Sequence, residues 1–337
     1  MKRKILITLA TILILTSGFA LWKFFGTGAV HAPEGNFFYI HTGDTYKQVE
    51  TNLVDQKIIT GTTWFNWAAA LIGYKNIKPG RYEIKNGMSI TGLVRQLRNG
   101  QQTPVNFVIT KIRTKEVLAS RIGKAFECDS AQMMNFLNSP DSLTEYNLDT
   151  NTVMAAALPY TYTLRWNVTP RRVFEEFYAS YKIFWTDERK EKADSLGLSP
   201  TEVSTLASII DEETNAPSDK PYIASVYLNR VKKGWPLQAD PTLKFALKNF
   251  GLRRVLNEHK KVVSPYNTYE NKGLPPGPIC TPALSTIDSV LNAPETNYMY
   301  FVANEDFSGT HIFTTNGNDH LKYARRYQKE LNKRNIK

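Results

Sequence analysis

Ser199-Pro200-Thr201-Glu202-Val203-Ser204-Thr205-Leu206-Ala207-Ser208-Ile209-Ile210-Asp211-Glu212-Glu213-Thr214 is the stretch on which the reading of this chain turns. Ser199 is suited to cap a helix, Pro200 fits the first helical position, and Glu202 completes a capping box. A helix is therefore expected from this start through Thr214, ending in three consecutive acids. At about 100° per residue, with Glu213 at zero, Leu206 falls near +20°, Ile209 near −40° and Ile210 near +60°. Glu213 is thus predicted on the apolar face, Glu212 about 100° away and Asp211 on nearly the opposite side. A carboxylate on a buried face loses hydration, which raises its pKa and suits a general acid near neutral pH. The competing reading is an acid cluster near a helix end with Glu213 bonded to a neighbouring Lys or Arg. Carboxylates are disfavoured at a helix C-terminus, so the placement asks for another reason.

Downstream, Ala224–Lys233 reads as a second helix stopped by Gly234, with Asn229 and Arg230 near its end. In Leu237-Gln238-Ala239-Asp240-Pro241-Thr242, Asp240 is predicted to N-cap a helix through Leu247, a structural role before any chemical one. Gln238 has no such role and is a candidate sugar ligand. Residues 264–278 form a long loop shaped by Pro and Gly, in which Tyr266, Asn267, Thr268 and Tyr269 offer ring faces, an amide and a hydroxyl to a sugar. A well-packed connector is the plainer alternative. Asn297–Ala303 and Thr310–Thr314 predict a hairpin, and a basic amphipathic helix follows from Asp319. His311 and His320 are expected to pack or to face solvent, with either able to approach the site.

Upstream, residues 1–4 carry Lys2, Arg3 and Lys4, and Ile5–Trp22 is an apolar run of about 18 residues, enough to span a bilayer as a helix. A cleavable signal peptide competes with this reading. No clear small-x-small site is present, and Trp22, Phe24 and Phe25 suit an interfacial aromatic belt. The basic cluster predicts a cytoplasmic N-terminus, with everything after the span on the extracytoplasmic side of the inner membrane. Residues 23–35 are expected to be a tether. Residues 36–110 alternate short elements: strand Phe37–His41, helices Thr45–Asp55 and Thr63–Ile72, strand Arg81–Ile84, helix Ser89–Arg98, strand Val105–Thr110. This βααβ-type pattern is similar to the LysM glycan-binding module. Residues 111–337 are expected to hold a helical connecting region, with an irregular insert at Ala155–Trp166, and the domain carrying the chemistry. The predicted class is α+β.

The 337 residues carry 42% hydrophobic and 22% charged residues, which describes a folded chain that needs neither disulfide nor metal for a core. A net charge of +11 suits an acidic polymer, anionic lipid or simply a solvated surface. No basic run interleaves with aromatics in the manner of a nucleic-acid binder. Two distant cysteines, Cys128 and Cys280, and five scattered histidines give no metal-ligand spacing. The two thiols are open to pairing or to burial as free groups. No cofactor and no metal are called for.

The strings Ala207–Thr214, Ala224-Ser225-Val226-Tyr227-Leu228-Asn229-Arg230, Leu237–Thr242, Tyr266–Tyr269, Gly273-Leu274-Pro275-Pro276-Gly277 and Tyr300-Phe301-Val302-Ala303, in that order, resemble the MltG/YceG family of endolytic murein transglycosylases. The resemblance implies one N-terminal span, a LysM-like subdomain and a catalytic domain whose catalytic glutamate matches Glu213. The family often has Glu where this chain has Asp211, which implies an auxiliary acid there. Many members have Pro-Asp-Thr-Tyr where this chain has Pro159-Tyr160-Thr161-Tyr162. The implied activity is cleavage of the MurNAc–GlcNAc bond inside nascent peptidoglycan strands to 1,6-anhydroMurNAc ends, which limits strand length. Its implied partners are the glycan strands, the membrane and proteins of wall synthesis. Ordinary glycosidases use two carboxylates, whereas Glu213 is the one carboxylate that stands out in this sequence. Open alternatives are a water-using muramidase, with Asp211 or Asp240 as second acid, and a non-catalytic peptidoglycan binder or wall-synthesis scaffold.

Overall fold

The computed structural model describes residues 2–26, 28–252 and 254–334. Met1 of the expected tail, Thr27 of the expected tether, and Arg253 and 335–337 of the long C-terminal segment lie outside the described residues. The chain divides into two compact units. One comprises the chain up to Phe107 with Ala125–Cys128 and Thr163–Thr169; the other comprises Val108–Lys124, Asp129–Tyr162 and the chain from Pro170 onward.

The first unit begins with α1 (Lys2–Phe25). Its Arg3–Phe25 portion, 23 residues, is long and apolar enough to cross a membrane. The helix continues through Trp22 and Phe25, past the end of the expected span. Strand β1 (Phe37–Ile40) buries Phe38 and Ile40 and turns the alternate residues outward, the period-two signature of a half-covered strand. Helix α2 (Tyr46–Asp55) starts from a complete capping box of Thr45 and Gln48. Helix α3 (Thr62–Ile72) ends at Gly73, whose φ of 75° is the left-handed conformation that glycine adopts without steric cost. Strand β2 (Gly80–Glu83) pairs antiparallel with β1, Phe38 opposite Tyr82. Helix α4 (Ile90–Asn99) is capped by Ser89. Phe38, Ile40, Leu53, Phe65, Tyr82, Leu93 and Leu97 are among the side chains of one continuous core. Strand β3 (Val105–Val108) follows.

The second unit adds α5 (Lys115–Ala125), α6 (Ser130–Leu137) and the short α7 (Pro140–Thr144). The stretch expected to be irregular contains β4 (Thr161–Leu164), whose last two residues, Thr163 and Leu164, belong to the first unit, as does Val105–Phe107 of its partner strand β3. Thr-Tyr-Thr-Leu alternates outward and inward, with Tyr162 and Leu164 buried, so the strand signal was present but only four residues long. After α8 (Pro170–Phe184) and α9 (Asp187–Ser195) comes α10 (Pro200–Glu213), started by the predicted Ser199–Glu202 capping box. Helices α11 (Lys220–Lys232), α12 (Asp240–Ala246) and α13 (Leu284–Leu291) all pack on α10. The antiparallel hairpin β5 (Tyr300–Ala303) and β6 (His311–Thr314) and then α14 (Gly317–Lys333) complete the unit. The architecture is mixed α+β throughout.

Helix α10 is the axis of this unit. Every residue from Val203 to Asp211 is buried, so the helix is enclosed on all sides and not along one face as the wheel predicted. Small residues make this possible. Ser204, Ala207 and Ser208 let neighbours approach, and the hydroxyls of Ser204, Thr205 and Ser208 bond to carbonyls one turn back. Ser208 also accepts from the Ile279 backbone N–H at 3.0 Å, which pins the chain just beyond the proline-rich loop to the middle of α10. Cys128 and Cys280 are both buried thiols.

Candidate active site

Enclosure of α10 brings its three terminal acids into protein surroundings, and the three are treated differently. Asp211, expected to face away from the core, is buried instead. Its Oδ1 accepts from Lys220 Nζ and Thr286 Oγ1, both at 2.5 Å, and Oδ2 accepts from the Ala283 N–H at 2.6 Å. It joins α10 to the starts of α11 and α13. Glu212 receives a two-pronged contact from Arg113 (3.1 and 3.0 Å) and an ion pair from Lys111 at 3.1 Å.

Among the described residues, no cation forms an ion pair with Glu213. Its partner is the hydroxyl of Tyr227, which donates to Oε1 at 2.7 Å. Tyr227 is 1% exposed and projects from the middle of α11, its ring edge-on to Phe301 of β5. Glu213 keeps part of its surface open, yet loss of hydration pushes its carboxyl up to about 7. The charge of Asp240 adds to this rise, while the Tyr227 hydrogen bond and the charges of Lys244 and Arg230 oppose it. A carboxyl whose pKa is raised toward neutrality suits a group that must both give and take a proton.

The surroundings are built from three segments. Arg230, one turn beyond Tyr227, is buried and donates to the carbonyls of Met299 (2.9 Å) and Leu237 (2.5 Å). It thereby ties α11 to the strand β5 and to the segment before α12. Burial holds its pKa below the usual arginine value. Asp240 was predicted to cap α12, but the helix begins at Asp240 itself, and its preceding residue Ala239 supplies no side-chain cap. With no capping duty, the Asp240 carboxylate accepts from the Tyr269 hydroxyl at 2.5 Å. Burial, then the Asp240 contact, pushes the Tyr269 phenol well above its ordinary range. Lys260 sits over the Tyr269 ring at 4.8 Å.

Of the proposed sugar ligands, the structure brings Asp240 and Tyr269 to the surroundings of Glu213. Gln238 is exposed, between buried Leu237 and Ala239, with a φ of 54° that non-glycine residues rarely adopt. Its backbone N–H is anchored on the Thr268 carbonyl at 2.9 Å, which leaves the side chain at the surface. Asn267 and Thr268 are placed otherwise. Asn267 is fully buried; both amide hydrogens go to the Lys260 and Val262 carbonyls at 2.8 Å, and Oδ1 accepts from the Tyr269 N–H. Thr268 bonds the Ala239 N–H and Thr242 Oγ1. These two side chains clamp the loop and hold Tyr269 in place. Asn229 likewise donates to the Thr296 and Tyr298 carbonyls, fastening α11 to the segment entering β5. The Tyr266 ring lies 4.7 Å from that of Phe245, tilted by 48°, and lines a cavity of about 280 Å³ to which Glu213 contributes nothing.

His311 bonds Asp219 at 2.9 Å, and His320 stacks on Tyr300, so both histidines are packing residues here. Sequence reasoning missed Tyr227 and Lys244, although Tyr227 stands in one of the strings quoted above. No local pattern marks a tyrosine 14 residues from an acid as its hydrogen-bond donor. Among the described residues no cluster of His, Cys, Asp or Glu is arranged to hold a metal ion.

Residues 38–326 match the YceG-like family. A Bacillus subtilis (strain 168) protein named endolytic murein transglycosylase is 27% identical over 317 residues, covering 88% of this chain and 85% of that relative. A protein of the same name from Streptococcus pneumoniae (strain ATCC BAA-255 / R6) is 25% identical over 320 residues; there the match covers 83% of this chain but 56% of the longer relative. A 2.6 Å crystal structure of a YceG-like protein from Listeria monocytogenes superposes with a TM-score of 0.58 at 27% identity, covering 85% of this chain and 97% of that one. With the match running through both units, the chain belongs to the YceG-like family.

Proposed function

We propose that this protein is an endolytic lytic transglycosylase of peptidoglycan, cleaving the bond between N-acetylmuramic acid and N-acetylglucosamine within a glycan strand. The observation that carries the reading is the state of Glu213: a carboxyl raised to about 7, bonded to the Tyr227 phenol and, among the described residues, paired with no cation. The names of the Bacillus and Streptococcus relatives supply the substrate class.

In the proposed reaction Glu213 gives its proton to the glycosidic oxygen as the bond from that oxygen to C1 of the muramic sugar breaks. Tyr227 supports the carboxylate that results. That carboxylate then takes the proton of the same sugar's C6 hydroxyl, whose oxygen bonds to C1. The products are a 1,6-anhydro end and a free hydroxyl on the other fragment. No water is consumed and no second carboxylate is required, which accords with the two neighbouring acids of α10 being engaged by Lys220, Lys111 and Arg113. Asp211 acts through the fold and not on the sugar. Asp240 and Tyr269 shape the field around Glu213, and Gln238 is the exposed polar side chain proposed to contact the glycan.

The proposed setting is the inner membrane, with α1 as a single span, the N-terminus cytoplasmic and the chain after α1 outside. Residues 36–110, nearly all of them in the first unit, are proposed to be a LysM-like glycan-holding subdomain. Its β1-α2-α3-β2 order and the β1–β2 pairing support this. Substrates would then be nascent strands close to the membrane, beside the proteins that synthesise them. The experiment is Glu213→Gln: turnover of purified uncrosslinked strands is lost while strand binding remains. Full turnover by the variant would remove Glu213 from the mechanism.

A further inference from the structure

The first unit carries a second apolar element beside α1. Between Lys57 and Lys75 the sequence has no charged residue, and α3 lies within that window. The helix is apolar on two faces. Phe65, Ala68 and Ala69 point into the core, and Ile72 packs against it. Trp64, Trp67 and Leu71, spaced three and four residues apart, form a second stripe about 120° round the helix, with Trp64 at its edge also packed against the core. Trp67 is 60% and Leu71 is 74% exposed, an unusual exposure for such side chains on a folded unit.

The stripe is continuous with α1. The Trp64 ring lies 5.4 Å from Phe24 and 6.1 Å from Phe19, and Trp67 lies 5.6 Å from Trp64. The end of α1 is fixed in this position because Thr91 of α4 donates to the Phe24 carbonyl at 2.9 Å. Phe19 is six residues before the last residue of α1, which is about 9 Å of helix. A ring in contact with Phe19 therefore sits at roughly the depth, about 5–10 Å, to which interfacial helices bury their apolar faces. Tryptophan suits that zone because its ring is apolar and its N–H is polar. At the far end of α3, Arg98 donates to the Ile72 carbonyl at 2.7 Å, and Lys23 lies 5.0 Å from the Trp22 ring. Both place a cation at the rim, where lipid headgroups would meet it.

We propose that α3 lies in the lipid–water interface beside α1, with Trp64, Trp67 and Leu71 in contact with the bilayer. The first unit is then held on the membrane surface by two apolar elements and cannot swing freely on a tether. This rests on the reading of α1 as a membrane span. It confines whatever glycan the unit holds to the zone next to the bilayer.

The test uses the full chain in vesicles of zwitterionic lipid with brominated acyl chains. An environment-sensitive fluorophore is attached to one of Leu71→Cys, Trp67→Cys, Leu13→Cys or Asp187→Cys; the native Cys128 and Cys280 are buried. Blue-shifted emission and quenching at positions 67 and 71, several-fold stronger than at 187 and accompanied by quenching at 13, is the expected result. Quenching at 13 with water-like emission at 67 and 71 would overturn the proposal while leaving the span intact. Blue-shifted but unquenched labels at 67 and 71 would assign the stripe to a protein contact, and also overturn it. An unquenched label at 13 would remove the span and the proposal with it.

Discussion

The hydroxyl of Tyr227 lies 2.7 Å from Oε1 of Glu213, and its hydrogen bond favours the charged form of a carboxyl otherwise pushed toward neutrality by burial. Tyr227 is itself buried and its phenol is held well above its ordinary pKa, so it remains a donor across the working pH range. The pair therefore lets one carboxyl serve as acid in the first half of the proposed reaction and as base in the second.

Replacing Tyr227 by Phe removes that donor. A hydrogen bond to a charged group contributes about 1.5–3 kcal/mol, equivalent to roughly one to two pKa units. The Glu213 pKa should rise above about 7, moving the basic limb of the pH–rate profile upward, while kcat at neutral pH falls on the order of tenfold. A pH–rate profile on defined glycan strands measures both, and an unchanged profile would contradict the assignment.

Asp240→Asn should act in the opposite direction. Its charge helps to raise the Glu213 pKa, so neutralising it lowers that pKa and shifts the basic limb downward. If Asp240 were instead the base of a water-using muramidase, the variant would lose turnover at every pH.

Glu213 also costs stability at neutral pH. Its folded-state pKa of about 7 lies above the ordinary value of 4.5, so its favourable contribution is complete below pH 4.5 and lost as pH rises through 7. The span corresponds to about 3 kcal/mol. Glu213→Gln should therefore unfold at higher temperature than the parent at pH 8, with the advantage vanishing near pH 4. Thermal unfolding of the full chain in detergent across this range reads the difference, and a variant no more stable at pH 8 would show that the carboxyl is not strained by burial.

Asp211→Ala leaves the largely buried Lys220 without its acidic partner, bonded only to the Thr286 hydroxyl, and frees the Ala283 N–H. Breaking a buried pair in this way costs about 3–5 kcal/mol. The variant should lose stability heavily, yet any folded fraction should keep the parent's pH–rate profile, because Asp211 holds helices together and does not touch the sugar. A shifted profile at normal stability would return Asp211 to the site.

Gln238→Gly separates backbone from side chain. A non-glycine residue in the left-handed region carries about 1–2 kcal/mol of strain. Glycine at this position should leave stability unchanged or slightly higher, while the KM for long strands rises. A fall in stability with unaltered kinetics would make Gln238 a structural residue.

Much of this was legible in the sequence where the determining interaction is local. The Ser199–Glu202 capping box, the start of α2 at Thr45 and the hairpin near 300–314 each depend on residues a few positions apart. The periodicity also singled out Glu213 among three acids, but for an incomplete reason. The wheel assumed one buried face, whereas α10 is enclosed all round, and what distinguishes the acids is which of them meets a cation. Those cations, Lys220, Lys111 and Arg113, come from elsewhere along the chain, and Tyr227 comes from another helix. Asp240 was misjudged for the same reason: Asp before Pro is a sound local cap signal, but the Tyr269 hydroxyl, 29 residues away, holds that carboxylate instead. Asn267 looked like a ligand because loop amides often are; only the fold shows that the loop's own carbonyls occupy it.

The central claim is that Glu213 drives an intramolecular transfer without water. The most direct measurement is the mass of the new ends released from uncrosslinked glycan strands by the full-length protein and by Glu213→Gln. The account predicts ends lighter by one water than those of hydrolysis, 1,6-anhydro-N-acetylmuramic acid, formed by the parent and absent with the variant. Reducing ends from the parent, carrying the mass of an added water, would contradict it and point to Asp240 as a second catalytic carboxylate.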